Sequence, residues 1–232
     1  RKLHSPLQIF GFNHNTAPVQ RRERILFSGD DVALALLQLL NLDGIEEVVL
    51  LSTCNRTEFY VISNEIGAAM FKKWLQNDQN LDAETQKALF TLQQNDAIKH
   101  IFRVACGLDS MVLGEPQILG QLKDAYRQAQ QAGSVGGQLS RLFQHTFSVA
   151  KKVRSDTKIG NSPVSVAYAT VTLANQFFAG FSQHTALLIG AGVTIELVAK
   201  HLTSKGIGRM FVANRDIPVS YTHLTLPTSD QV

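Results

Sequence analysis

The sequence is poor in the features that most directly reveal a protein's class. It has only two cysteines, Cys54 and Cys106, and no Cys/His spacing typical of zinc ligands, so it predicts neither a disulfide framework nor a metal site. No apolar run approaches the ~18 residues that cross a bilayer, and no signal peptide opens the chain. The net charge of +3 is too small to identify a nucleic-acid partner. We therefore expect a cytoplasmic protein without a membrane span.

What the chain does contain is enough apolar sequence for a folded core. Its 232 residues, 44% of them hydrophobic, suit two domains of ordinary size. Strands are predicted at residues 7–12, 47–51 and 59–62, with helical patterns between them. Residues 82–133 look almost wholly helical. The predicted class is α/β: an N-terminal α+β domain at 1–158, then a linker helix and an incomplete Rossmann-type domain at 159–216.

Residues 51–58, LSTCNRTE, lie between two of the predicted strands and are predicted to form a loop. The loop contains Cys54, followed two residues later by Arg56. A thiol reacts as its thiolate, which a nearby cation favours, and a planar guanidinium suits a carboxylate of a substrate. Cys54 is therefore a candidate nucleophile. The alternative is a cysteine that packs at the end of a strand.

A second candidate segment is residues 107–121, GLDSMVLGEPQILGQ. It mixes glycine, carboxylate and amide groups with apolar anchors, a composition typical of binding loops, and a plain helix–helix connection is the alternative. Pro116 is predicted at the first position of a helix that ends near residue 132. On the preceding helix, His100 lies one step off the apolar stripe. Its importance depends on whether the fold brings it near Cys54.

Positive charge is concentrated in two places. Arg21, Arg22 and Arg24 follow the first strand, close to His14, which is expected to hydrogen-bond locally in a turn. A helix predicted near 139–157 has a second basic face. That face comprises Arg141, His145, Lys151, Lys152, Arg154 and Lys158. It is the strongest candidate contact for a nucleic acid, whereas the first cluster could contact a phosphate backbone or a carboxylate. The default interpretation of both clusters is a solvated helix face.

The pattern changes after residues 160–163, where we place the domain junction. A buried strand at 185–189 runs into a glycine turn and an amphipathic helix, the opening unit of a dinucleotide fold. Gly190 permits the tight turn, and Gly192 lets the backbone approach a pyrophosphate held by the helix N-terminus. The third glycine of the fingerprint is replaced by Ile195.

A second strand of this fold is predicted at 210–213. It delivers Asn214 and Arg215 to the place where such folds contact the ribose, and an arginine there favours the 2′-phosphate of NADP. Residues 217–232 have no helical period, although the fold needs its next helix there. We expect this tail to be non-native, the result of a truncated gene or a cloning or frame-shift scar.

Four motifs together resemble the glutamyl-tRNA reductase family. They are residues 13–18, 52–58, 107–121 and 190–192. The resemblance extends from about residue 7 to 215 and departs at Val193, where the family usually has glutamate. It implies an NADPH-dependent reduction of glutamyl-tRNA(Glu) to glutamate-1-semialdehyde through a cysteine thioester. That reaction is the first step of tetrapyrrole, and hence porphyrin, synthesis.

The resemblance also implies roles for individual residues. Cys54 would attack the glutamyl ester, and His100 would polarise or position the reacting group. The glutamate pocket would comprise Thr53, Asn55, Arg56, Ser110, Glu115, Pro116, Gln117 and Gln121. NADPH would bind at Gly190, Ala191, Gly192, Val193, Thr194, Ile195, Asn214 and Arg215.

The partners implied by the resemblance are glutamyl-tRNA(Glu) and the aminomutase that consumes glutamate-1-semialdehyde. The family is homodimeric, and its helical dimerisation domain follows the segment that this chain resembles. Two alternatives stay open. The chain could only form and hydrolyse the thioester, or it could be a non-catalytic tRNA-binding fragment.

Overall fold

The computed structural model describes residues 5–77, 79, 81–111, 113–157, 159, 166–178, 180–190 and 192–214. Contacts divide the chain into two compact units, residues 1–161 and 162–232. Each combines helices with a sheet, which confirms the predicted α/β class. Among the described residues, no helix is both long and apolar enough to cross a membrane. The predicted junction at 160–163 and the predicted tail at 217–232 lie outside the described residues.

The first unit is built on a four-stranded antiparallel sheet with the strand order β2-β3-β1-β4. Its strands are β1 (Leu7–Asn13), β2 (Ile45–Ser52), β3 (Arg56–Ser63) and β4 (Phe90–Gln93). Every residue of β3 is buried, as are all residues of β1 after the first. Because neighbouring side chains of a strand point to opposite faces, both faces of this sheet must be covered.

Helices provide that cover on both sides. The helices of this unit are α1 (Val19–Arg22), α2 (Asp30–Leu40), α3 (Glu65–Asn77), α4 (Ala83–Lys87), α5 (Gln94–Ala105), α6 (Gln117–Gln131) and α7 (Gly137–Asp156), with a 3₁₀ turn at Glu23–Ile25. The ring of Phe59 lies 5.0 Å from that of Phe71 on α3. The ring of its neighbour Tyr60 lies 5.5 Å from that of Phe143 on α7. Helix α3, with α2 beside it, therefore covers one face, and α7, with α5 and α6, covers the other.

A buried carboxylate joins β2 to the start of α7. Glu47 is 6% exposed and accepts hydrogen bonds from the backbone N–H groups of Gly136, Gln138 and Leu139, at 2.9, 3.0 and 2.7 Å. N–H groups at a helix start have no partner within the helix, and a negative charge there is favourable to the helix dipole. A Cβ at position 136 would lie 2.6 Å from Glu47 Oε1, so this close approach requires glycine.

The second unit contains one β–α–β unit and a further helix. Its elements are α8 (Val166–Phe178), β5 (Thr185–Ile189), α9 (Val193–Ser204) and β6 (Arg209–Ala213). β5 and β6 pair in parallel, as a dinucleotide fold requires. Leu188 and Ala199 are buried in its core, whereas Leu187, Ile189 and Phe211 are more than half exposed. The described part of this unit therefore leaves one face of its sheet uncovered.

The prediction of an almost wholly helical stretch at 82–133 is wrong in one place. Phe90–Gln93 forms β4, which pairs with β1 so that Leu92 lies opposite Ile9. Four residues give too short a pattern to separate a strand from a helix by periodicity. The pairing with β1, a segment distant in sequence, decides the conformation.

Removal of the Glu47 carboxylate should weaken the junction between β2 and α7. Glu47→Ala leaves three N–H groups without their partner, and we expect the free energy of unfolding to fall by about 2–3 kcal/mol. Urea denaturation followed by circular dichroism measures this loss. As a control, Asp43→Ala removes an exposed carboxylate from the turn before β2 and should change stability by less than about 0.5 kcal/mol. Equal losses of stability in the two variants would contradict the conclusion that Glu47 stabilises the junction between β2 and α7.

Candidate active site

The hairpin between β2 and β3 carries the candidate nucleophile. The Thr53 N–H donates to the Arg56 carbonyl at 2.8 Å, and Thr53 Oγ1 accepts from the N–H groups of Asn55 and Arg56 at 3.3 and 3.2 Å. Cys54 and Asn55 are therefore the two residues at the tip of a tight hairpin, and Cys54 is exposed. The predicted loop at 51–58 is wrong in its bounds. Cross-strand pairing continues further than the local pattern shows and places Arg56 within β3.

Alternate residues of β3 form a buried polar cluster beneath the hairpin. Arg56 Nη1 donates to Glu58 Oε1 at 2.8 Å, and the Tyr60 hydroxyl donates to Glu58 Oε2 at 2.6 Å. His100 Nε2, from α5, lies 3.0 Å from Glu58 Oε1. Arg56 and Glu58 are at most 1% exposed, so each depends on the other for compensation of its charge.

Asp109 holds the loop between α5 and α6 against the same guanidinium. Arg56 donates through Nη1 to the Asp109 carboxylate at 3.2 Å and through Nη2 to the Asp109 carbonyl oxygen. The loop closes where the Gly114 N–H donates to the Gly107 carbonyl at 2.9 Å. Gly107 has a φ of +74°, and a Cβ there would lie 3.1 Å from the backbone of Glu115. Glycine is suited to both constraints.

Burial and charge act in opposite directions on this cluster. Burial alone would raise the pKa of Glu58, but the hydrogen bond from His100 and the charge of Arg56 outweigh it and lower the pKa to about 2. Burial would lower the pKa of Arg56, but the charge of Glu58 and its neighbours raises it overall. Burial and then the Glu58 charge raise the pKa of Tyr60. At neutral pH the cluster therefore holds an anionic Glu58, a cationic Arg56 and a neutral Tyr60 hydroxyl.

The hairpin tip, the loop and the start of α6 enclose a cavity of about 40 Å³ beside this cluster. It is lined by Thr53, Cys54, Asn55, Arg56, Ser110, Glu115, Gln117, Ile118 and Gln121. All but Ile118 were predicted as site residues from two distant segments. The Ser110 hydroxyl is buried, and no described residue gives it a hydrogen-bond partner. The cavity has room for a few water molecules at most, so a larger ligand requires it to open.

Two further predicted residues do not line this cavity. Pro116 is the N-cap residue of α6, which begins at Gln117, so the expectation that it is the first helical residue is wrong by one position. His100 stands behind the cavity wall, where it contacts Glu58 and not Cys54. Any effect of His100 on the cavity therefore passes through Glu58 and Arg56.

Arg22 is a site residue, although the sequence pattern shows it only as one of three clustered arginines. Its Nε donates to the Cys54 carbonyl at 3.3 Å and its Nη1 to the Ala17 carbonyl at 2.7 Å, and it is only 8% exposed. Arg21 and Arg24 instead pair with surface carboxylates. The interpretation as a solvated helix face thus fits those two and is wrong for Arg22. Spacing within so short a run gives no signal that separates the three.

His14 faces the site from the turn after β1. Asn13 lies opposite Arg56 in the sheet, and its side-chain oxygen accepts from the N–H groups of Asn15 and Thr16, so Asn13 supplies the local hydrogen bonds expected of His14. His14 Nδ1 is buried, and the described residues offer it no hydrogen-bond partner. Burial, followed by the positive charge of Arg56, lowers the pKa of His14, so this imidazole is neutral at neutral pH.

Glu58, His100 and Asp109 offer ligand atoms within 4.8 Å of one another, a spacing that suits a metal ion. The guanidinium of Arg56 donates to both carboxylates of this group. It already supplies positive charge at that point, and a metal ion would have to displace it. We therefore assign no metal to this cluster.

The second unit presents the glycine turn predicted for a dinucleotide. Gly190 has a φ of +112°, and its N–H donates to the Ala213 carbonyl at 2.7 Å. Helix α9 starts after Gly192, which has no side-chain cap, and a Cβ at that position would meet nothing within 4 Å. The free N–H groups at such a helix start suit a pyrophosphate. Ile195, at the third glycine position, packs in the core of this unit.

The remaining predicted cofactor residues are only partly described. Asn214 follows β6 and is half-buried, and Thr194 is exposed on the first turn of α9. Ala191, Arg215 and the side chain of Val193 lie outside the described residues. The preference for NADP that Arg215 suggested therefore stays a prediction.

Comparison with known proteins gives two family matches. Residues 10–157 match the N-terminal domain of glutamyl-tRNAGlu reductase, and residues 172–222 match shikimate/quinate 5-dehydrogenase. The chain is 51% identical over 212 residues to a glutamyl-tRNA reductase of Marinobacter nauticus, covering 91% of this chain and 49% of that protein. It is 52% identical over 208 residues to one of Ectopseudomonas mendocina, covering 89% and 49%.

A solved structure, a glutamyl-tRNA reductase from Methanopyrus kandleri, matches with a TM-score of 0.62 and 31% sequence identity. The match covers 93% of this chain and 51% of that chain. The present chain thus spans about half the length of the relatives that it matches.

The two thiols should differ in reactivity. Cys54 is exposed, whereas Cys106 is 2% exposed and burial raises its pKa. Iodoacetamide at neutral pH should label Cys54 first, as measured by mass spectrometry of the digested protein. Cys54→Ser should remove the early label and Cys106→Ala should keep it. Equal labelling rates in the native protein would refute this contrast.

Loss of the Glu58 charge should destabilise the fold and change its acid response. Glu58→Gln leaves Arg56 buried with less compensation, and we expect a loss of about 3 kcal/mol near neutral pH. Since the fold lowers the pKa of Glu58 from 4.5 to about 2, its carboxylate stabilises the protein above about pH 4.5. This contribution is lost as the pH falls towards 2.

The urea midpoint of the wild type should therefore fall more steeply below about pH 4.5 than that of Glu58→Gln. Glu65→Gln, at an exposed position, serves as the matched control and should follow the wild type. Parallel pH profiles for the wild type and Glu58→Gln would show that Glu58 does not carry this linkage.

Proposed function

The chain belongs to the glutamyl-tRNA reductase family, and on that premise we propose that it acts in the NADPH-dependent reduction of glutamyl-tRNA(Glu) to glutamate-1-semialdehyde. This would be the first step of tetrapyrrole synthesis. The observation that carries the proposal is the exposed thiol of Cys54 at a cavity whose other walls come from the two predicted binding segments.

The first step is transfer of the glutamyl group to Cys54. The thiolate adds to the ester carbonyl, the carbon–oxygen bond to the terminal ribose breaks, and the RNA leaves with a hydroxyl group. A glutamyl thioester remains on the sulfur. Two features support Cys54 in this role: the tight hairpin fixes its backbone, and the Arg22 guanidinium donates a hydrogen bond to its carbonyl oxygen.

Glutamate recognition is assigned to the remaining cavity residues. The Ser110 hydroxyl has no hydrogen-bond partner among the described residues and is available to a ligand, while Gln117 and Gln121 contribute amides from one face of α6. Glu115 is suited to the substrate ammonium group. Arg56 has five N–H donors and makes three hydrogen bonds to Glu58 and Asp109, so it keeps donors for a substrate carboxylate.

His100 and Pro116 act through their neighbours. His100 holds Glu58, which in turn orients Arg56, so we assign His100 a positioning role. Pro116 sets the start of α6 and therefore the direction of Gln117 and Gln121.

The glycine turn of the second unit is assigned to the cofactor. Its backbone around Gly190 and Gly192, with Thr194 and Ile195 on the helix that follows, would hold the pyrophosphate, and Asn214 the ribose. The match to a dehydrogenase family over residues 172–222 supports a nicotinamide cofactor.

When bound, NADPH supplies the hydride that reduces the thioester to the aldehyde and returns the Cys54 thiolate. A thioester accepts hydride readily because sulfur donates little resonance to the carbonyl. Since Cys54 must remain a free thiol, we place the reaction in the reducing cytoplasm.

Intact-mass spectrometry after incubation with glutamyl-tRNA(Glu) tests the proposal. We expect a glutamyl adduct on Cys54 that disappears when NADPH is added. Cys54→Ser should form no thioester, and Cys106→Ala should behave as the wild type. An adduct that decays only to free glutamate would limit the chain to transfer and hydrolysis. The absence of any adduct would overturn the assignment of Cys54.

A further inference from the structure

A second concave surface, the α6–α7 groove, lies on the first unit outside the Cys54 cavity. It encloses about 550 Å³ and is lined by Leu119, Lys123, Gln144, Phe147, Ser148, Lys151, Arg154 and Ser155. Three of these residues are cationic and none is acidic. The reaction proposed above uses none of them.

The cations of the groove have no ion-pair partner in the part of the chain that the structure describes. No carboxylate there pairs with Lys123, Lys151 or Arg154, and Arg154 Nε is buried without an acceptor among the same residues. Their neighbours differ, because Lys152 pairs with Asp156 at 2.6 Å on the same helix. The unpaired charges therefore face the groove, which favours an anionic ligand.

The groove also contains an aromatic ring. Lys123 Nζ lies 5.8 Å from the ring centroid of Phe147. Grooves that bind single-stranded nucleic acids combine cations, which follow the phosphates, with aromatic side chains against which bases stack. Phosphate contacts position such a strand without reading its sequence.

A direct contact connects the groove to the Cys54 cavity. Arg154 Nη2 donates to the Glu115 carbonyl at 2.9 Å, and Glu115 lines the cavity. Along α6, Lys123 follows the cavity residue Gln117 by six positions, an axial rise of about 9 Å. The groove therefore adjoins the Cys54 cavity at Glu115.

We propose that the α6–α7 groove binds the phosphates of the single-stranded 3′ end of the aminoacylated RNA. This inference rests on the proposed function, since the ester that Cys54 attacks is at that 3′ end. Lys123, Lys151 and Arg154 provide the phosphate contacts, and the groove orients the strand so that its last nucleotide reaches the hairpin tip. The hydrogen bond from Arg154 to the Glu115 carbonyl fixes the position of the groove relative to the cavity.

The test compares Lys123→Gln/Lys151→Gln with a matched double variant, Lys72→Gln/Lys73→Gln. The control removes the same charge from exposed positions on α3, which covers the opposite face of the sheet. The dissociation constant for glutamyl-tRNA(Glu) is measured as salt is raised from about 50 to 200 mM. Each lost single-strand phosphate contact lowers the slope of log affinity against log salt by about 0.7, so the groove variant should lose about 1.4. The control should keep the wild-type slope.

A second measurement separates docking from chemistry. A glutamate α-thioester of a small thiol, which carries no RNA, should load Cys54 equally in the wild type and the groove variant. Adduct formation from glutamyl-tRNA(Glu) should be slower in the groove variant alone. These results together would support the groove as the RNA contact.

Three results would overturn the inference. They are an unchanged salt slope in the groove variant, an equal loss of slope in the α3 control, and a wild type that does not bind the RNA. If the wild type binds the RNA with the expected slope but forms no adduct from either substrate, the groove stands and the proposed function fails.

Discussion

The buried ion pair between Arg56 and Glu58 is the interaction on which the site depends. Both side chains leave water almost completely, and their charges are compensated by each other, by Asp109 and by hydrogen bonds from Tyr60 and His100. Such clusters contribute little net stability compared with apolar packing, but removal of one partner is costly. In this site the ion pair fixes the positions of the elements around it. The Arg56 guanidinium holds the start of β3, the loop after α5 and, through Glu58, the side chain of His100 on α5.

This geometry explains how a reactive thiol can be exposed and still be placed reproducibly. Cys54 occupies the tip of a two-residue turn, while the strands on either side belong to the most buried part of the sheet. The tip cannot shift without breaking cross-strand pairs. Cys106 shows the opposite situation, because it is packed into the core and burial raises the pKa of its thiol. Rigid support and exposure of the reacting group are thus combined at one point.

Helix α6 links the two functions assigned to the first unit. Gln117 and Gln121 lie one turn apart and face the cavity, whereas Leu119 and Lys123 lie one turn apart and face the groove. The helical period thus assigns successive side chains to two ligand regions, and Arg154 from α7 joins them at the start of the helix. A single rigid helix can therefore position both the amino acid and the RNA of one substrate.

Local sequence determined much of this protein. The two segments around Cys54 and Ser110, the glycine turn at Gly190 and the α/β class all follow from residue patterns that are continuous along the chain. Tertiary structure alone decided the rest: that residues 90–93 form a strand, that Arg22 is buried beside Cys54 and that His100 reaches Glu58 rather than the thiol. These contacts join residues 32 and 42 positions apart. A local pattern reports periodicity and exposure, whereas strand register and helix packing determine which distant side chains meet.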